Sequence, residues 1–200
     1  MPLVDMRSDT ITKPTPKMRQ AMATAEVGDD VLGDDPTVKK LEAMAARMTG
    51  KEASLFVSSG TMANITCMLT HCNRGDEIIL GDQSHIFFYE QGGTAALGGI
   101  HSRLITNSPD GKLPLDAMEN AIRAEDLHFP RTKVIVLENT HNRCNGSPID
   151  IDYMQAVGNL ARRYNLKIHV DGARIFNAAA ALKRGVPELV ANADSVSLCL

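Results

Sequence analysis

Two short runs constrain this chain more than anything else in it: EIILG at Glu77–Gly81 and VIVLEN at Val134–Asn139. A strand with one face in water alternates apolar and polar residues, whereas a strand covered on both faces is apolar without a break. Both runs are of the second kind. KIHVD, from Lys167 to Asp171, adds a third strand, with β-branched Ile168 and Val170 and an acid at its tip. Segments with helical spacing lie between the strands: Thr61–Cys72, Pro114–Ala124, Asp152–Tyr164 and Arg174–Arg184. Buried strands alternating with helices predict an α/β fold, a mostly parallel sheet with helices on both faces. SLFV (Ser54–Val57), SRLITN (Ser102–Asn107) and SVSLCL (Ser195–Leu200) are the remaining expected strands. The Gly-rich stretch from Gln91 to Gly99 is expected to hold a short helix.

The chain divides into a loop-rich arm over residues 1–35, with Pro14, Pro16 and the acidic stretch GDDVLGDD, and a large domain over residues 36–200. The large domain opens on a helix. Asp35 is its N-cap, Pro36 suits its first turn, and Gly50 ends it. Val38, Leu41, Ala45 and Met48 share its apolar face. The net charge of −3 argues against a nucleic-acid groove or an anionic membrane surface as partner. No apolar run approaches the roughly 20 residues of a membrane span. MPLVDMRSDT carries charge at once, so no secretory leader is expected and the cytoplasm is the default location. The four cysteines form no C-x-x-C pair and read as reduced thiols. The six histidines show no metal-ligand spacing, so no metal is expected.

Open α/β sheets bind ligands beyond the carboxyl ends of their strands. Collected there are SSGTMAN after SLFV, then Asp82, His85 and Glu90 after EIILG. Thr140, His141 and Asn142 follow VIVLEN, and Asp171 and Arg174 follow KIHV. SSGTMAN leads into a helix N-terminus, where free N–H groups and the helix dipole favour a phosphate. Gly60 admits close approach and Thr61 adds a hydroxyl. Taken alone, this is equally an ordinary capped turn. Asp171 either caps the following helix or pairs with Arg174, or else faces a ring nitrogen and keeps it protonated. His85 either stacks on that ring or is a satisfied polar-core histidine. A phosphate cradle at one strand tip and a ring-nitrogen acid at another together describe pyridoxal 5'-phosphate (PLP).

The ordered blocks RSDT, VGDDVLGDDPT, GKEASLFVSSGTMAN, HIFFYEQGG, HFPRTK, ENTHN and HVDGARIFNA run along nearly the whole chain. With them the sequence resembles the low-specificity L-threonine aldolases, PLP enzymes of the aspartate-aminotransferase fold. The resemblance implies that Gly60 and Thr61 bind the cofactor phosphate, His85 stacks on the pyridine ring and Asp171 pairs with the ring nitrogen. It places Arg174 close to cofactor and substrate, holding the substrate carboxylate together with Ser8. It brings His128 to the substrate side chain and has Glu90 support the site. The implied reaction is cleavage of L-threonine or L-allo-threonine to glycine and acetaldehyde. His85, His128 and a water are alternative acceptors for the β-hydroxyl proton. One block departs from the family pattern: Leu32 stands where many members have an aromatic residue.

The family's Schiff-base lysine follows the strand matching SVSLCL, and the sequence ends at Leu200. The remaining lysines, such as Lys39, Lys40 and Lys183, are expected in solvent. The resemblance further implies an antiparallel strand between those matching SLFV and SVSLCL, then a small C-terminal domain. On that ground the chain is expected to be the N-terminal part of a threonine aldolase, inactive alone. Two alternatives are a non-catalytic product that associates with full-length subunits and another PLP lyase of the same fold. The expected partners are a β-hydroxy-α-amino acid and further copies of the chain, as a homodimer or homotetramer.

Overall fold

A computed structural model describes residues 4–200. Its five strands are β1 (Glu77–Gly81), β2 (His101–Ile105), β3 (Thr132–Glu138), β4 (Lys167–Asp171) and β5 (Ser195–Ser197). They form one sheet in the order β2-β1-β3-β4-β5, and every pairing is parallel. The α/β class expected from the sequence is the class observed. The helices are α1 (Pro16–Thr24), α2 (Pro36–Thr49), α3 (Gly60–His71), α4 (His85–Phe88), α5 (Gly93–Ala96), α6 (Leu115–Ala121), α7 (Ile151–Arg163), α8 (Ile175–Leu182) and α9 (Val186–Leu189).

The apolar strands are continuous because each feeds two cores. Ile78, Leu80, Val134 and Val136 pack with Met68 of α3, Ile86 and Ile100 on one face. Ile79, Ile135, Leu137, Ile168 and Val170 pack on the other face with Met118 of α6, Met154, Val157 and Leu160 of α7, and Ile175 of α8. Odd and even positions of a strand therefore serve opposite layers. In β4 the same alternation turns His169 and Asp171 away from the α7 layer and toward α3. Helix ends follow local chemistry. Asp35 accepts from the N–H groups of Thr37 and Val38 at 2.9 and 2.8 Å, and Asp150 accepts from Tyr153 N–H at 2.8 Å. Gly50 takes the left-handed conformation (φ 67°) that ends α2.

The strand order carries the site. From β1 the chain moves to β2 on one side, then to β3 on the other side of β1. The two crossovers leave a crevice at the carboxyl ends of β1 and β3, the topological switch point at which open α/β sheets bind ligands.

Three expectations differ from the structure. The arm contains α1, capped by Thr15 with Pro16 in its first turn; residues 1–3 of the expected arm lie outside the described residues. SLFV is not a strand. Ser54 donates its hydroxyl to Glu42 O at 2.7 Å, and Phe56 N–H donates to the Glu42 carboxylate at 2.8 Å, so α2 and not a ladder holds this segment. A strand is defined by its partner, and a cleft of about 650 Å3, lined by 53–60 and 194–200 among others, separates this segment from β5. The third concerns the lysines. Lys51 is half-buried and donates to the carbonyls of Val190 and Ala193 at 2.7 and 2.5 Å, so it caps the end of α9 and does not sit in solvent. Lys39, Lys40 and Lys183 are exposed as expected.

Candidate functional site

The site is built from four segments at the carboxyl end of the sheet. Asp171 closes β4 and is only 4% exposed. Its Oδ2 accepts from the Asn64 amide at 2.9 Å and its Oδ1 from Ala173 N–H at 3.3 Å. Burial pushes its carboxyl above the ordinary range, and the Asn64 amide and Ala173 N–H act against that. His85 opens α4, where its Nδ1 lies 2.9 Å from Glu90 Oε1. The Glu90 carboxylate raises the imidazole above its ordinary value. One ligand atom each from His85, Glu90 and Asp171 fall within 4.8 Å of one another. Glu90 is buried, and its Oε2 has no hydrogen-bond partner.

Asn64 of α3 joins these groups. It is 2% exposed and donates to Glu90 Oε1 at 2.8 Å as well as to Asp171. Its Oδ1 meets Ser197 Oγ at 2.7 Å and His169 Nε2 at 3.0 Å. Sequence reasoning missed Asn64. The signal was present: Gly60, Asn64 and Met68 recur every four residues along α3, and a lone amide in a buried stripe needs polar partners.

A second missed residue is Glu138, at the tip of β3 and paired in register with Asp171. It accepts from His85 N–H at 2.7 Å and Asn142 N–H at 2.8 Å, which fixes the start of α4. Burial pushes its carboxyl up to about 7. His141 lies beside it, fully buried, with Nε2 3.8 Å from the Glu138 carboxylate and neither ring nitrogen hydrogen-bonded. Burial lowers that imidazole.

The other expected site residues divide. Ser59 caps α3 by accepting Met62 N–H at 3.1 Å, so Gly60 and Thr61 occupy the first turn, where helix N–H groups lack intrahelical partners. Arg174 precedes α8 and pairs through Nε and Nη2 with the Asp9 carboxylate, the second contact at 2.8 Å. Arg174 thus pairs with the arm and not with Asp171, and Asp171 does not cap α8 either, since its contact is to Ala173 N–H, ahead of the helix. Ser8 adjoins Asp9, and its hydroxyl accepts from Thr10 N–H at 3.3 Å. His128 is not brought to this group. It is exposed in the turn before β3, at the amino end of the sheet, where Phe129 packs under Arg123, the partner of Glu77. Leu32 is 74% exposed in the turn before α2. At the rim Arg143 stacks 4.0 Å over Phe88 and donates to Tyr89 Oη at 2.9 Å.

A parallel sheet with a free helix N-terminus at one crest, and a buried acid beside a histidine at another, is the layout of a PLP-binding large domain. The chain belongs to the beta-eliminating lyase family, whose sequence model matches residues 5–200. It is 55% identical over 200 residues to a probable low-specificity L-threonine aldolase 2 of Arabidopsis thaliana, covering 98% of this chain and 56% of that protein. It is 46% identical over 198 residues to a low specificity L-threonine aldolase of Escherichia coli O157:H7, covering 99% of this chain and 59% of that one. Among solved structures, a threonine aldolase of Leishmania major shares the fold with a TM-score of 0.73 at 22% identity, over 89% of this chain and 52% of that chain. The chain therefore spans somewhat more than half the length of these curated relatives.

Pyridoxal phosphate is the cofactor implied by this membership, and the residues fit it. A pyridinium nitrogen is the cation that a buried Asp171 lacks, and the unpartnered Glu90 Oε2 marks unused acceptor capacity in the same cluster. No helix among the described residues is long and apolar enough to cross a membrane.

Proposed function

We propose that the whole protein, to which this chain contributes the part matching somewhat more than half of its relatives' length, is a PLP-dependent lyase that cleaves the Cα–Cβ bond of L-threonine or L-allo-threonine to give glycine and acetaldehyde. The observation that carries this reading is the buried Asp171–His85–Glu90 group at the crest of the sheet, beside the open first turn of α3. PLP, when bound, supplies an electron sink for the pair released at Cα. The work of the protein is to hold and orient. Gly60 and Thr61 offer N–H groups to the phosphate. The Asp171 carboxylate would keep a ring nitrogen protonated, and His85, its Nδ1 held by Glu90, would stack on the ring. Arg174 binds the substrate carboxylate with Ser8, exchanging the Asp9 carboxylate for that of the ligand. His85, His128 and a water remain the alternatives for taking the β-hydroxyl proton. His128 reaches a site of this kind only from a neighbouring copy, which fits a homo-oligomer.

The test is acetaldehyde release from L-allo-threonine with added PLP. Release that depends on PLP and on Asp171 supports the reading. No release from the folded 200-residue chain fits its expected inactivity alone, whereas a whole protein that binds PLP and releases none overturns the reading. The family description favours one second reading, β-elimination on the same fold. Ammonia and pyruvate from L-serine, with no acetaldehyde from threonine, would establish that instead.

A further inference from the structure

A chain of buried polar contacts leads away from the site, and hydrogen-bond valence fixes its direction. Glu90 Oε1 and Asp171 Oδ2 are carboxylate acceptors, so the Asn64 atom facing both must be the amide nitrogen. Asn64 Oδ1 therefore faces His169 Nε2 at 3.0 Å and Ser197 Oγ at 2.7 Å, and both must donate to it. His169 is completely buried, and burial pushes its imidazole down to about 3, so it is neutral and carries one ring proton. That proton is on Nε2. Nδ1 is then an acceptor, and Ser195 Oγ, 2.9 Å away, donates to it. With its proton so used, Ser195 Oγ is free to accept from Nε2 of the half-buried His71 at 2.8 Å. The Cys67 thiol also faces Ser195. Every link donates inward, from the α3 C-terminus to the two carboxylates.

We propose that His169 and Asn64 are positioning residues for Asp171, the Nε2–H tautomer of His169 locking the Asn64 amide with its nitrogen toward Asp171 and Glu90. A flipped amide would turn its oxygen toward two carboxylates, which neither side can satisfy. Both Asn64 donors are then committed, one to the acid under the ring nitrogen and one to the acid behind His85. The proposal rests on the PLP reading for its functional consequence, whereas the tautomer is a property of the chain itself.

Two measurements test it. In histidine-15N-labelled protein without cofactor, long-range 1H–15N correlation at pH 7 should show His169 neutral and protonated at Nε2. A proton on Nδ1, or an imidazolium, overturns the proposal. PLP affinity is then compared in His169→Phe, which removes donor and acceptor, and His169→Gln, which keeps a donor toward Asn64. The Phe variant should bind PLP about ten-fold more weakly, the loss expected for one buried hydrogen bond, and the Gln variant should recover most of it. Unchanged affinity in a folded Phe variant overturns the positioning role. If the Phe variant does not fold, the wild-type tautomer and the Gln variant decide. Wild-type protein that binds no PLP would sink the proposed function, and the tautomer would still test the relay.

Discussion

At the residue scale burial pushes the Asp171 and Glu138 carboxyls up, and the hydrogen bond to Glu90 raises the half-buried His85. Asp171→Asn keeps the shape and the Asn64 contact but removes the carboxylate. In the whole protein it should lower PLP-dependent cleavage by about 100-fold or more, with an unchanged circular dichroism spectrum. Near-normal turnover would remove Asp171 from the assigned role. His85→Ala should weaken PLP retention on dialysis, and unchanged retention would return His85 to the status of a structural histidine. Glu138 predicts a pH effect of definite sign. Its folded value, about 7, lies above its ordinary 4.5, so between these limits the native state holds a proton that the unfolded state has lost. Stability therefore falls as pH rises through that window. Relative to wild type, Glu138→Gln should flatten this slope. The difference accumulates to at most about 3 kcal/mol between pH 4.5 and 7, read from urea unfolding at several pH values. Parallel slopes for the two proteins would show that Glu138 ionises normally.

At the element scale, the segments whose register the sequence reveals are those that finish their hydrogen bonding locally or that carry an unbroken apolar run. The α2 cap at Asp35 and stop at Gly50, and the strands EIILG, VIVLEN and KIHVD, were legible for those reasons. Expected ends were close: Asp152–Tyr164 became Ile151–Arg163, and Arg174–Arg184 became Ile175–Leu182 followed by α9. SLFV was not legible, because propensity states what a segment suits and not whether a partner lies beside it. Helix α1 was hidden by its prolines, although Thr15-Pro16 is a sound helix start. A cap prediction follows from α7. Asp150→Ala removes the acceptor for Tyr153 N–H and the partner of Lys112, and should cost about 1 kcal/mol in chemical denaturation. A change below a few tenths would mean that the helix start is held by packing alone.

At the scale of the whole molecule, stability is concentrated in the sheet interior. Strands β1, β3 and β4 lie between two apolar layers, whereas no residue of α1 is buried. Amide exchange should be slowest at Ile79, Ile135 and Val170 and fastest across residues 4–35. Equal protection in arm and sheet would contradict this division. Ile135 is fully buried in the central strand, so Ile135→Ala should cost about 2–5 kcal/mol, while Leu32→Ala, at an exposed turn, should stay within about 0.5 kcal/mol.

The sequence by itself determined the α/β class, most of the strands and helices, and the candidate residues at the strand tips. Periodicity, capping and apolar runs act within a few residues of one another, and the acid at the end of KIHVD announces itself. Only the tertiary structure decided which of those residues meet. It joined Asp171 to Asn64 across 107 positions of sequence and, through Asn64 and Glu90, to His85. It left His128 at the far end of the sheet, and it gave Arg174 to Asp9, 165 positions away. The physical reason is that burial and hydrogen-bond valence are properties of a packed neighbourhood. A lone asparagine in a helical stripe reads as an anomaly until two carboxylates and a neutral histidine surround it.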